Sequence, residues 1–350
     1  MKDITTIGID IAKNNMQLHG IDDTGRVILK KRLTRAKFLP FMANLPNCTI
    51  GMEACGGAHY WAGELTQLGF ITKLMHPRTV KKFVDNHKND AKDAAACAEA
   101  VNRQSTNFIP IKNKTQISIQ AHHRVRSYYV AQRTALMNMT RGLLLEMGIA
   151  IPKGKAAFME QLLLLLQEEN EQLSTADKPL FQSLYNSLIA LNKEVKKHNE
   201  TLEKLAEQDE NCKRLCTLPG VGPITATGII AKIGNGSEFK KGRDLSAYLG
   251  LVPKQHSSGD KHMLLGISKH GDRYIRQLLI HGGRSSLKAA LRKDKITLEY
   301  QKQDVHSQWM RKLSERVGIN KASVAIANKN ARMMIALLKS STTFQGDLAH

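Results

Sequence analysis

Thr5-Thr6-Ile7-Gly8-Ile9-Asp10-Ile11-Ala12-Lys13 is the stretch whose reading decides the fold. Isoleucines at alternate positions suit a buried strand, and a carboxylate beside them is costly unless a cation, a proton or a hydrogen-bond donor meets it. Asp10 is therefore either a turn residue at a strand end or one ligand of a metal ion. The second reading needs more acids. They stand at Glu53, in Cys48-Thr49-Ile50-Gly51-Met52-Glu53-Ala54, and at Asp90 and Asp93, in His87-Lys88-Asn89-Asp90-Ala91-Lys92-Asp93-Ala94. Glu53 closes another short apolar strand, while Asp90 and Asp93, three apart at the start of an alanine-rich helix, share one face. Four carboxylates from three elements suit a hard divalent cation such as Mg²⁺, and paired ions can clamp both oxygens of a phosphoryl transfer.

Outward from that stretch, residues 4–11, 16–21 and 27–33 read as three strands, with Asp22-Asp23-Thr24-Gly25 as the turn between the last two. A helix over 35–45, a strand over 48–53, a helix over 58–68 and a strand over 70–75 follow, then helices from Pro77 and from Asn89. Antiparallel strands followed by alternating helix and strand, with acids on the first strand, the fourth strand and a late helix, is the order of a ribonuclease H-like fold. The actin and sugar-kinase fold shares this opening but expects a phosphate-gripping Gly-Thr turn after the first Asp, where Ile11-Ala12-Lys13 stands.

Residues 117–208 read as helical, with breaks near Gly148–Pro152 and 175–179. Phe181, Leu184, Leu188, Leu191, Val195, His198, Leu202 and Leu205 alternate at spacings of three and four. Such a seam fits a coiled-coil dimer or a helix packed on its own domain. His122 and His123 lack metal-ligand companions nearby and read as surface or phosphate contacts. At Leu218-Pro219-Gly220-Val221-Gly222-Pro223 the chain takes a helix-hairpin-helix pattern, in which the amides at Gly220 and Gly222 and the following helix N-terminus can approach a DNA phosphate. Such contacts position DNA without reading its sequence. Lys254-Gln255-His256-Ser257-Ser258-Gly259-Asp260-Lys261 reads as a polar loop, and Ile267-Ser268-Lys269-His270-Gly271-Asp272-Arg273-Tyr274-Ile275-Arg276 as a further loop opening a basic helix. Lys254, Lys261, Lys269, Arg273 and Arg276 are the cations expected on nucleic acid. A Ser-Ser-Gly loop between basic segments can meet a phosphodiester, although such loops are most often plain turns.

The chain has 350 residues and a formal net charge of +21, too large for an ordinary metabolic enzyme and typical of a protein that meets a polyanion. Residues 240–350 hold 21 basic against 8 acidic residues, so the C-terminal third carries +13 of that charge. No amphipathic anchor or lipidation motif accompanies it, and the leucine run 162–166 is too short to span a bilayer, which argues against a membrane partner. Cys48, Cys55, Cys97, Cys212 and Cys216 fall at no zinc-ligand spacing and read as reduced thiols of a cytoplasmic protein.

Together these segments resemble the DEDD-type insertion-sequence transposases of the one-ten and eleven-eleven groups, to which the Piv and MooV invertases are related. The resemblance implies a RuvC-like DEDD domain over residues 1–112, with its four acids on Asp10, Glu53, Asp90 and Asp93. It further implies a coiled-coil region over 113–210, and a mainly helical transposase domain with the helix-hairpin-helix and the serine loop over 211–350. The family's serine nucleophile falls on Ser258, directly before Gly259, with Ser257 adjacent. The implied activity is excision and insertion of a DNA element by Mg²⁺-dependent serine attack and a covalent phosphoserine intermediate. The implied partners are double-stranded DNA, a structured non-coding guide RNA (a bridge or seeker RNA) and further copies of the chain, as a dimer and, in the active complex, a tetramer. A Holliday-junction nuclease, an actin-like ATPase and a non-catalytic DNA-binding protein are the alternatives.

Overall fold

Six strands, β1 (Thr6–Ile11), β2 (Asn15–Ile21), β3 (Val27–Thr34), β4 (Thr49–Glu53), β5 (Ile71–Met75) and β6 (Phe108–Ile109), form one sheet in the order β3-β2-β1-β4-β5-β6. The computed structural model describes residues 3–84, 89–167, 170–258, 261–292 and 304–346. β2 runs antiparallel to β1 and β3, β4 runs parallel to β1 and β5, and β6 is antiparallel to β5. Asp22 makes the expected turn: its Oδ1 accepts from Thr24 N at 3.0 Å and Arg26 N at 2.8 Å. Ile7 and Ile9 are fully buried with Leu18, Ile50, Met52 and Phe38, each such side chain contributing roughly 1.5–3 kcal/mol. Helices α1 (Arg35–Met42), α2 (Ala58–Gln67), α3 (Pro77–Val80) and α4 (Asp90–Val101) complete this first unit, Met1–Ile117. The mixed sheet is compatible with a ribonuclease H-like core.

The second unit, Ser118–His350, is mostly helical. α5 (Lys114–Glu146) enters it and lies antiparallel to α7 (Lys178–Gln208): Arg126 Nε donates to Asn199 Oδ1, Arg133 Nη1 to Asn192 Oδ1, and His122 meets His198. With α6 (Lys155–Leu165) between them, Met137, Leu144, Phe158, Leu162, Phe181 and Leu188 make one core. The expected seam is thus occupied within the chain: Phe181, Leu188, Val195 and Leu202 are buried, and Leu184, Leu191, His198 and Leu205 flank them. The heptad pattern satisfies α5, α6 and the later helices of the same unit, so it supplies no free dimer face.

His122 and His123 also depart from expectation. His122 Nδ1 lies 3.1 Å from His198 Nδ1, and His123 is only 4% exposed. Its Nδ1 is 3.0 Å from Tyr274 Oη and its Nε2 3.1 Å from Thr227 Oγ1. Thr227 Oγ1 already donates to Pro223 O, so it accepts from Nε2–H, and the tyrosine hydroxyl donates to Nδ1. A neutral imidazole wired on both sides contacts no phosphate.

Helices α8 (Glu210–Cys216), α9 (Pro223–Ile233), α10 (Gly242–Tyr248), α11 (Arg273–Ala290) and α12 (Val305–Ser340) surround Leu215, Ile229, Leu245, Leu249, Leu279 and Met334. The stretch expected as a polar loop, Lys254 to Lys261, lies in an antiparallel ribbon of β7 (Pro253–Ser258) and β8 (Lys261–Ile267). All six β7 residues are exposed, so neither face carries the apolar alternation by which strands are recognised.

Candidate active site and nucleic-acid contacts

Gly8 and Gly51 set the position of the acids. They are register partners in the parallel β1–β4 pair, and α4 lies directly on them. A Cβ at Gly8 would collide with Ala94 O and Ala98 N, and one at Gly51 would come 2.7 Å from Cys97 O and 2.8 Å from Val101 Cβ. The alanines of α4 and the two glycines therefore let backbone approach backbone. Side chains two residues apart on a strand share a face, so Asp10 and Glu53 rise from the face on which α4 sits. They do so next to its N-terminal turn, where Asn89 caps the helix by accepting from Ala91 N at 3.0 Å. The signal was present as Gly-Ile-Asp in β1 and Gly-Met-Glu in β4, the same offset in each strand.

That packing brings ligand oxygens of Asp10, Asp90 and Asp93 within 4.8 Å of one another. Glu53 stands outside this tight group but close enough to act on Asp10. Burial first, then the charges of Asp93, Asp90 and Glu53, raise the Asp10 carboxyl to about 6. Among the described residues no side-chain cation is among the groups acting on it. Burial and then the Asp10 and Glu53 charges push the neighbouring Cys97 thiol up to about 12. Crowded carboxylate oxygens fit a hard divalent ion.

In the second unit Ser258 ends β7 and pairs with Lys261 across the ribbon. Gly259, directly after it, lies outside the described residues. Ser257 accepts from Gln255 Nε2 at 3.1 Å, on one face, whereas Ser258 alternates onto the other face with His256.

Comparison with known proteins fits this layout. Residues 7–149 match a DEDD transposase family of the IS110 type, described as "Transposase", and residues 212–299 match the "Transposase IS116/IS110/IS902 family". The chain is 42% identical to the transposase for insertion sequence element IS1111A of Coxiella burnetii, over 99% of this chain and 92% of that protein. It is 40% identical to a probable family 20 transposase of Pseudomonas aeruginosa, over 98% and 99% of the two chains, and 36% identical to the transposase for insertion sequence element IS1328 of Yersinia enterocolitica, over 98% and 99%. The chain belongs to the IS116/IS110/IS902 family of DEDD transposases. It is a DNA-cleaving and rejoining enzyme of an insertion sequence, and the family implies DNA binding and divalent-metal use. Among the described residues no helix is long and apolar enough to cross a membrane.

The remaining expected contact residues of the transposase separate into two groups. Lys254, Lys269 and Arg273 are exposed, and so is Gly222 at the N-cap of α9. The side chain of Lys261 lies outside the described residues. Gly220 and Arg276 have interior duties instead. Gly220 has φ 82°, and a Cβ there would collide with Gly282 O of α11. Asn330 Nδ2 donates to the adjacent Pro219 O at 3.0 Å, so the turn is pinned from α11 and α12. Arg276 is 8% exposed, and its Nη1 donates to Leu249 O at 3.0 Å and His270 O at 2.9 Å. This guanidinium ties together the two chain segments that enter and leave the β7–β8 ribbon, so its Nη1 serves as a structural clamp. From sequence, Arg276 was one cation among many; its carbonyl partners are 27 and 6 residues away.

Proposed function

We propose that this transposase cuts and rejoins DNA through Ser258, with Asp10, Glu53, Asp90 and Asp93 holding Mg²⁺ at the scissile phosphate. In this reading residues 1–112 are the acidic catalytic domain, 113–210 a helical region and 211–350 the domain that carries the serine. The observation that carries it is the Asp10–Asp90–Asp93 convergence within 4.8 Å, with Glu53 beside it and, among the described residues, no side-chain cation acting on Asp10. When bound, the ion would offset charge on the attacked phosphorus. The chain's own part is to hold four oxygens in place and to present a hydroxyl. Ser258 Oγ forms a bond to phosphorus as one P–O bond of the DNA backbone breaks. The serine proton leaves to solvent, and the departing DNA oxygen takes up a proton. The phosphoserine ester keeps the energy of the broken bond, so a DNA hydroxyl can later displace Ser258 and rejoin the strand.

The choice of DNA is assigned to a structured non-coding RNA that base-pairs with element and target. The charge of +21 and an aromatic content of 5% support a protein that grips backbones and leaves sequence reading to base pairing. Assembly as a dimer, and a tetramer in the active complex, is part of the same reading. The apolar surface available for it includes Leu145, Leu163 and Leu180, exposed at 63%, 48% and 49%.

The decisive experiment incubates the protein with DNA carrying both element ends and stops the reaction in denaturant. Wild type should yield DNA covalently attached at Ser258, located by mass spectrometry. Ser258→Ala should bind DNA and cut nothing, while Ser257→Ala still cuts. Free DNA ends from an active Ser258→Ala variant would replace the serine with water and make the enzyme a junction-type nuclease. Sequencing copurified RNA tests the guide: a heterogeneous cellular mixture without complementarity to either DNA would remove it.

A further inference from the structure

Gly318, with φ 76° and ψ 161°, breaks α12 into two helices, 305–317 and 319–340. A continuous helix would hold residues 309 and 329 about 30 Å apart. Here the two halves fold back on each other: Met310 and Leu313 share a core with Ala322 and Ile326, and Lys329 Nζ stands 4.2 Å from the Trp309 ring centre. α10 joins the same place. A Cβ on Gly242 would lie 2.5 Å from Arg332 O, so only glycine lets the start of α10 touch α12, and this contact sets Lys241 and Arg243 beside Arg332. The result is a groove of about 740 Å³ whose walls carry Lys241, Arg243, Lys329, Arg332 and Trp309.

Among the described residues no acidic side chain lines this groove. Among the described residues none of the four cations forms an ion pair. Among the described residues the nearby carboxylates are committed to helix ends: Asp244 Oδ2 accepts from Lys241 N at 2.8 Å, and Asp304 accepts from His306 N and Ser307 N. Burial, then the Arg332 charge, lower the Lys329 ammonium from its usual range. Like charges gathered without a counter-ion repel one another until an anion enters. The Trp309 face attracts the ammonium, which gives Lys329 a fixed station that an open surface lysine lacks.

We propose that this groove grips consecutive backbone phosphates of a nucleic-acid strand, a site separate from the helix-hairpin-helix turn and from the ribbon. It rests on the reading of the transposase as a nucleic-acid-guided enzyme and gives that reading a place. The groove is also tied to the serine ribbon. Asn328, on its wall, donates from Nδ2 to Leu251 O at 3.0 Å, two residues before β7, and its own carbonyl accepts from Ser246 Oγ. A strand held by Arg332 and Lys329 is therefore registered against the root of the segment that carries Ser258.

The test measures the affinity of the full chain for a labelled DNA duplex and for a structured RNA of equal phosphate number, each across a salt series. Arg243→Gln with Arg332→Gln keeps side-chain length and leaves the Gly242 contact in place. Loss of two phosphate contacts should lower the slope of log affinity against log salt by about 1.5–2, with binding at low salt weakened on one or both nucleic acids. The arm that responds names the source of the phosphates. In a Trp61→Phe background only Trp309 emits, and its fluorescence should change on addition of the same oligonucleotide. An unchanged slope in the double variant, on both nucleic acids and with an unaltered melting temperature, overturns the groove while leaving nucleic-acid binding intact. Silent Trp309 emission at saturating nucleic acid overturns it as well. Salt-independent or absent binding by the wild-type chain would instead overturn the broader reading.

Discussion

The acids and the serine stand on opposite kinds of scaffold. Asp10, Glu53, Asp90 and Asp93 project from a seat in which strand and helix backbones are in contact, because α4 occupies the space a Cβ on Gly8 or Gly51 would need. Ser258 ends a two-stranded ribbon whose first strand is exposed along its whole length, an element that has little stability of its own. Its order comes from the root. Gly250 and Gly271 there admit no Cβ without collision with His270 O and Tyr248 O, and Arg276 clamps both segments. In the proposed mechanism the contrast follows from chemistry: metal ligands must keep their spacing before substrate arrives, while a nucleophile on an exposed ribbon can be brought to a phosphodiester after it is bound.

The largest expected effect breaks the rigid side of that contrast. Gly8→Ala should force α4 off the sheet, cost about 1–3 kcal/mol and reduce strand cleavage to background even though all four acids remain. Thermal melting paired with a cleavage assay reads both, and a variant that cleaves at the wild-type rate would show that the glycine seat does not govern the acids. Next in size is Arg276→Ala. It leaves Leu249 O and His270 O without their donor, at a cost of roughly 1–3 kcal/mol, and should depress cleavage through a loosened ribbon root. Because the guanidinium is turned inward, DNA affinity and its salt slope should stay within about twofold of wild type; a slope lowered by about one would make Arg276 a phosphate contact after all.

The smallest effect sharpens how the ribbon's anchor is held. Burial, then Arg126 and His122, push His123 down to about 4, below the usual histidine value of 6.5, while Asp272 acts in the opposite direction. The unfolded chain therefore binds the His123 proton more readily than the folded one. Stability from this group is complete above about pH 6.5 and is lost as pH falls towards 4, by about 1 kcal/mol between pH 7 and 5.5. Urea unfolding of wild type and His123→Gln at both pH values checks this, since the variant should lose less on acidification. Equal losses would mean that the Tyr274–His123–Thr227 chain does not hold the start of α11.

Much of the acidic unit was legible because its cues are local. The alternating isoleucines, the Asp22 turn and the alanine-rich stretch after Asn89 each determine an element within a few residues, and the observed strands β1 to β5 begin and end within two residues of the expected ones. Asp10 and Glu53 were visible because a carboxylate at the end of an apolar strand is anomalous, and Asp90 and Asp93 because they share one face at the start of a helix. The family resemblance singled out Ser258, which no local pattern distinguishes from an ordinary turn serine, and a net +13 marked the C-terminal third as basic. The tertiary structure alone decided what those charges do. Arg276 turns inward while Arg243 and Arg332 face a groove, because their partners are backbone carbonyls and glycines distant in the chain. The heptad seam closes on α5 and α6, since a repeat of apolar positions states that a helix face must be covered but not by which chain. The ribbon escaped detection because its first strand, Pro253–Ser258, is polar and exposed throughout, and hydrogen bonds to β8 build it without an apolar alternation of its own. Periodicity and composition record what each residue needs; which distant group meets that need is decided by packing.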